Sequence, residues 1–188
     1  PAQPVRDFFP THTKDQTMSI ITFSMPPFGA AIAGQGGYFS AIMRGPVVNH
    51  IQQPPYALLV SDATLGEIAS SPWGEYGKDV SGARSRTNGQ ANTAAMIAAE
   101  CQAALRVRAL TIEGHSDYFL ASIGELNAAA ANTPELFDPE GIYWASTQDS
   151  RNDAFIQDFE YGVSHWYGKG FGCRVRAFRA IPLEHLNP

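Results

Sequence analysis

Cys173-Arg174-Val175-Arg176-Ala177-Phe178 alternates with a period of two. As a strand it places Cys173, Val175 and Ala177 on one face and Arg174, Arg176 and Phe178 on the other. Two further strand-like runs precede it, Ile142 to Ser146 and Ala154 to Phe159, with Gly162 as a turn signal after them. Upstream the period changes. Asn92 to Arg108 reads as a helix capped by Asn92, with Ile97, Cys101 and Leu105 on one stripe and small alanines beside it. Ile123 to Ala131 reads as a second helix, opened by a Ser122/Glu125 capping box and followed by Pro134. Tyr38 to Met43 and Tyr56 to Val60 are apolar runs rich in strand formers, joined by the polar connection 44–55 as a wide hairpin. Residues 61–90 are dense in turn signals and read as irregular, with Trp73 as a core anchor. This order predicts an α+β domain: small antiparallel sheets, two segregated helices and long irregular loops.

The chain has 188 residues, 44% hydrophobic and 11% aromatic, which suits one globular domain with a core. A net charge of -5 argues against nucleic acid as a partner. No apolar run reaches the ~20 residues of a membrane span, so membrane insertion is not expected. Pro1 to Gln16 is too polar and charged for a signal peptide, and Pro1 fits removal of an initiator methionine. Residues 1–35 read as an N-terminal arm or attachment segment, with Phe8 and Phe9 as its apolar contacts and 18–25 as an edge strand; 36–188 reads as the domain proper.

Chemistry-bearing motifs are scarce. The chain has no phosphate-cradling loop, no His-Glu-x-x-His, no Cys-x-x-Cys and no Gly-x-Ser-x-Gly. The five histidines lie at no metal-ligand spacing, and His115 near Asp117 reads as a loop histidine. Asp149, Asp153 and Asp158 do not follow a calcium-loop pattern. Cys101 and Cys173 are expected as free, buried thiols, with one disulfide as the alternative. No cofactor and no enzymatic activity are expected, because no nucleophile, base and oxyanion donor assemble.

One block has the composition of a recognition surface, with short polar residues among Tyr, Trp and His. Its candidate ligand-binding residues are Gln148, Asp149, Arg151, Asn152, Asp153, Glu160, Tyr161, His165, Trp166, Tyr167 and Lys169. Phe155 or Phe159 is expected in the core beneath it, with Tyr161, His165 and Tyr167 partly exposed. Arg151, Lys169, Arg174 and Arg176 are a candidate basic patch.

Several segments in order resemble one family. They are Gly36-Gly37 with Tyr38 to Met43; Trp73-Gly74 with Tyr76-Gly77; Gly89-Gln90-Ala91-Asn92-Thr93 before the alanine-rich helix; Gly114-His115-Ser116-Asp117-Tyr118-Phe119-Leu120-Ala121-Ser122 with Glu125-Leu126; Tyr143-Trp144-Ala145-Ser146-Thr147; and Arg174-Val175-Arg176 with Arg179. Together they resemble the C-terminal domain family of a bacterial collagen-like adhesin, found in bacterial surface and phage tail-fibre proteins. Tyr118 stands where that family has Trp, and Ala121 where it has Pro. The resemblance implies a C-type-lectin-like fold, often trimeric, with a role in adhesion or receptor binding. The sugar-binding calcium motifs of true C-type lectins are missing. The expected function is a phage virion protein of the tail fibre or tip. It would bind a glycan or protein receptor on the host surface through the 148–169 block and other virion proteins through the arm. The alternatives are a structural virion protein, as decoration or baseplate, and a bacterial cell-surface adhesin binding sulfated or acidic polysaccharide.

Overall fold

A computed structural model describes residues 25–186. The strands are β1 (Ala31–Ile32), β2 (Gly37–Met43), β3 (Val47–Val48), β4 (Ile51–Gln52), β5 (Tyr56–Val60), β6 (Glu67–Ser71), β7 (Phe119–Leu120), β8 (Ile142–Gln148), β9 (Asp153–Asp158), β10 (Val163–Gly168) and β11 (Cys173–Pro182). The helices are α1 (Ala63–Gly66), α2 (Gly89–Ala98), α3 (Gln102–Arg108) and α4 (Ile123–Asn132). Nine strands form one sheet in the order β1-β2-β5-β11-β8-β9-β10, with β6 and β7 also on β11; β3 and β4 form a separate small hairpin.

The alternating stretch around Cys173 is the hub of this sheet. The C-terminal half of β11 pairs antiparallel with β5, Phe178 opposite Val60, and the N-terminal half with β6, Val175 opposite Ile68. Ala177 and Phe178 pair with β7, and Arg174 makes the single parallel pairing, to Tyr143 of β8. A strand with neighbours on both sides and layers on both faces is buried over most of its length, so Arg176 and Phe178 are buried as well as Cys173, Val175 and Ala177, while Arg174 is half-buried and Pro182 exposed.

The expected small antiparallel sheets with two helices are therefore corrected to a large mixed nine-stranded sheet with four helices. Four strands of this sheet escaped the sequence, β1, β6, β7 and β10, the last because it has no buried face to set an alternation. β1 and β7 are two residues long, and β6 lies half on the surface with polar Ser and Glu residues, so none has a period to read. The long helix 92–108 is two helices. After α2, Glu100 takes φ 61; its N–H donates to Ile97 O at 3.0 Å and that of Cys101 to Met96 O at 2.9 Å. This is a Schellman closure whose left-handed position holds Glu rather than Gly, so the usual sequence signal is absent. The cap moves too: the Asn88 side chain accepts from Ala91 N, while Asn92 is buried inside α2. The core stripe shifts with it, to Met96, Ala103, Ala104 and Val107, and Leu105 is exposed.

α4 forms as its sequence dictates. Ser122 caps it, and the reciprocal Ser122/Glu125 box is present. α2 and α3 cover Val175, Ala177, Trp144 and Ile156; α4 covers Phe178, Tyr143 and Phe155; Phe39, Leu59, Ile181 and Leu186 form a third cluster. Trp73 is fully buried, and its indole N–H donates to Ala145 O at 2.8 Å. Burying a side chain of that size contributes roughly 2–3 kcal/mol, provided the N–H keeps a partner.

Of the expected arm, residues 25–35 lie along the sheet. β1 pairs with β2, Ile32 is buried, and the Phe28 ring packs on Phe39 at 5.2 Å. Phe8, Phe9 and residues 18–24 of the expected edge strand lie outside the described residues.

Candidate functional site

The hairpin of β9 and β10 carries most of the predicted site. The strands pair in full register from Val163 opposite Asp158 to Gly168 opposite Asp153, and among the described residues β10 has no partner on its outer side. Period-two alternation sorts its side chains. His165 and Tyr167 share one face, with ring centroids 4.8 Å apart. Trp166 points to the other, 55% exposed and edge-on to Phe155 at 6.5 Å, while the Arg86 guanidinium sits 4.6 Å over Phe155. Tyr161 is 70% exposed at the hairpin tip beside Glu160, whose carboxylate raises the Tyr161 phenol above its ordinary range.

The opposite end of the hairpin is a polar turn. The Ser150 hydroxyl accepts from the backbone N–H groups of Asn152 and Asp153 and donates to the Asp153 carboxylate at 2.9 Å. Asp149 and Arg151 are exposed, and Arg151 Nε donates to Gly77 O at 3.0 Å. Gln148 and Lys169 do not belong to the surface. Both are buried beneath it, joined to each other at 2.5 Å.

Two aromatic rings that the sequence did not single out complete the surface. Phe171 is 66% exposed and Tyr76 is 64% exposed. Both flank Gly168, where an added Cβ would lie 3.3 Å from the Phe171 ring and 3.8 Å from that of Tyr76. Phe171 also stands 6.0 Å from the Tyr167 ring. Below this aromatic face runs a groove of about 290 Å3, lined by Tyr167, Phe171, Glu140, Ile142 and Arg174 among others.

The candidate basic patch does not form. Arg176 is buried and donates to Glu67 Oε2 through Nε at 3.0 Å and Nη2 at 2.5 Å; Arg174 pairs with Glu67 at 2.6 Å and with Asp138. Tyr143 OH also donates to Glu67, at 2.9 Å. Arg176 and Lys169 are buried and Arg174 is paired, which leaves Arg151 as the exposed member of the four.

His115 and Asp117 are not an acid–base pair: His115 Nε2 meets Gly34 O at 2.8 Å, and Asp117 pairs with Arg179 at 2.5 Å. Among the described residues no group of three or more His, Cys, Asp or Glu is placed to hold a metal ion. Asp158 is buried, where it accepts from Tyr161 N at 3.2 Å. Cys101 and Cys173 are free and buried, so no catalytic metal cluster or disulfide motif is present among the described residues. No helix of the described residues is long and apolar enough to cross a membrane.

No family model and no curated protein matches the chain. Among solved structures, a fimbrial protein from Bacteroides ovatus matches with a TM-score of 0.47 and 12% identity, over 80% of this chain and 44% of that one. The chain thus spans less than half the length of that protein, and a likeness of this size carries no argument about fold or function. The resemblance to the collagen-like adhesin family and its C-type-lectin-like fold is corrected, since no family model supports it. The expectations hung on its phage branch go with it: a virion location, a tail-fibre role, a homotrimer, and contacts to other virion proteins through the arm. The matched structure is that of a bacterial fimbrial protein, not of a phage protein.

Proposed function

We propose that this domain is the non-catalytic binding module of a bacterial surface adhesin, and that it holds a neutral polysaccharide against the aromatic face of the β9–β10 hairpin. The observation that carries this reading is the row of rings on one face, His165 against Tyr167 and Tyr167 against Phe171, with exposed Tyr76 on the other side of Gly168 and the groove beneath. Large exposed apolar rings clustered on one surface mark a binding site more than a solvated face. The C–H face of a pyranose is apolar and flat enough to cover such rings. Its hydroxyls then need hydrogen-bonding partners at the rim, which the Glu140 carboxylate and the His165 imidazole supply.

The charge balance selects the class of glycan. With Lys169 and Arg176 buried, Arg174 is the one cation among the described residues lining the groove, and it is paired with Glu67 and Asp138; the net charge is -5. Binding then rests on stacking and neutral hydrogen bonds, which salt screens little. The test is retention of the full chain on a panel of immobilised neutral and acidic polysaccharides, at low and high salt. The expected result is retention by a neutral chain that persists at high salt. Retention by acidic chains alone, lost at high salt, contradicts the reading.

A further inference from the structure

Lys169 is fully buried, yet among the described residues no carboxylate lies within ion-pair distance of its Nζ. Nζ instead donates to Lys78 O at 2.8 Å and contacts the side-chain amide oxygen of Gln148 at 2.5 Å, with the Trp73 ring 4.7 Å away. The rest of the Gln148 amide is equally constrained. Its Oε1 accepts the backbone N–H of Val80 at 2.7 Å, and its Nε2 donates to Asp79 Oδ1 at 2.7 Å. Two donors on Oε1 and an acceptor at Nε2 leave one orientation for the amide.

We propose that Lys169 and Gln148 react to form an intramolecular isopeptide bond, with loss of the Gln148 side-chain nitrogen as ammonia. Each neighbour fits a step of this transamidation. The neutral Lys169 amine uses its lone pair to form the Nζ–Cδ bond, and the carbonyl π pair moves onto Oε1. The Val80 N–H already sits on that oxygen and holds the developing oxyanion. A proton from Nζ then passes to Nε2, the carbonyl re-forms, and the Cδ–Nε2 bond breaks. The Asp79 carboxylate, hydrogen-bonded to Nε2, stabilises positive charge on the departing nitrogen. An amine and a primary amide give a secondary amide and ammonia, so no oxidant or co-reactant enters. The amine also meets the chemical requirement of being partly neutral: burial pushes the Lys169 ammonium down to about 8.

The bond has a structural consequence. Gln148 ends β8 and Lys169 follows β10, so the link closes the β9–β10 hairpin into a covalent ring at its base. The hairpin is thereby stapled to the sheet whether or not it binds a glycan, and the inference does not rest on the function proposed above.

The test is the intact mass of the purified full chain under denaturing conditions after incubation near pH 8, followed by peptide mapping. The expected result is a mass below that of the sequence by one ammonia, with the peptides containing Gln148 and Lys169 recovered joined. Lys169→Met and Gln148→Leu are each expected at full sequence mass. A folded wild-type chain at full sequence mass overturns the proposal. So does an ammonia loss that persists in Lys169→Met or maps to another residue.

Discussion

The backbone N–H of Gly89 donates to Glu125 Oε2 at 2.9 Å, which ties the first residue of α2 to the capping carboxylate of α4. The same carboxylate accepts from Ser122 N at 2.7 Å, from Ser122 Oγ at 2.6 Å and from Tyr56 OH at 2.5 Å. A side chain that begins as a local cap thus joins two helices and β5. A Cβ at position 89 would fall 2.5 Å from Glu125 Oε2 and 2.7 Å from Leu120 O. Gly89→Ala is expected to destabilise the domain by about 2 kcal/mol, because backbone stands in the way. Glu125→Ala, which strands several buried donors at once, is expected to cost about 3–4 kcal/mol. Urea unfolding of each variant measures both.

Glu67 collects Arg174, Arg176 and the Tyr143 hydroxyl at the meeting of β6, β8 and β11. Removing this carboxylate leaves Arg176 as an uncompensated buried cation. Glu67→Ala is expected to cost about 3–5 kcal/mol. The double variant Glu67→Leu/Arg176→Met is expected to recover much of that loss, since it removes both charges. A double-mutant cycle on unfolding free energies checks the sign.

Burial pushes the Cys173 thiol up to about 12 and raises that of Cys101 as well. At pH 8 the Cys173 thiolate is then about one molecule in ten thousand, too little for rapid alkylation. Both cysteines are expected to resist iodoacetamide in the folded chain and to react once urea unfolds it. The linkage follows in sign. The folded state holds the Cys173 proton more tightly than the unfolded state does. Its contribution to stability is therefore full below the unfolded value of about 8.5 and is lost as pH rises toward 12. Cys173→Ala is expected to lose less stability than the wild type between about pH 8.5 and pH 10.5.

The strands β2, β5, β8, β9 and β11 and the capping box of α4 were legible because each is written in a local pattern: alternation, apolar runs, Ser-x-x-Glu. The sheet that joins them was not. Its closure depends on two-residue strands, on the exposed β6 and on one parallel pairing at Arg174, none of which leaves a period in the chain. The split between α2 and α3 was hidden because Glu100 occupies the position where glycine usually marks a helix end. At the site, the polar-aromatic composition of 148–169 pointed to the exposed Tyr161 and Trp166. It misplaced Lys169 and Gln148, since a lysine is rarely buried without an acid partner. Tyr76 was read as a turn signal and as part of the resemblance, because its place beside Gly168, on the same site as Phe171, exists only after the loops fold.

The central claim is that the aromatic face of the hairpin binds a neutral glycan, and the double variant Tyr76→Ala/Phe171→Ala tests it most directly. Both rings are mostly exposed, so the variant is expected to unfold within about 0.5 kcal/mol of the wild type. Its affinity for a neutral polysaccharide retained by the wild type is expected to fall at least about tenfold, in line with the loss of two stacking rings. A folded double variant that binds that polysaccharide with undiminished affinity would contradict the account.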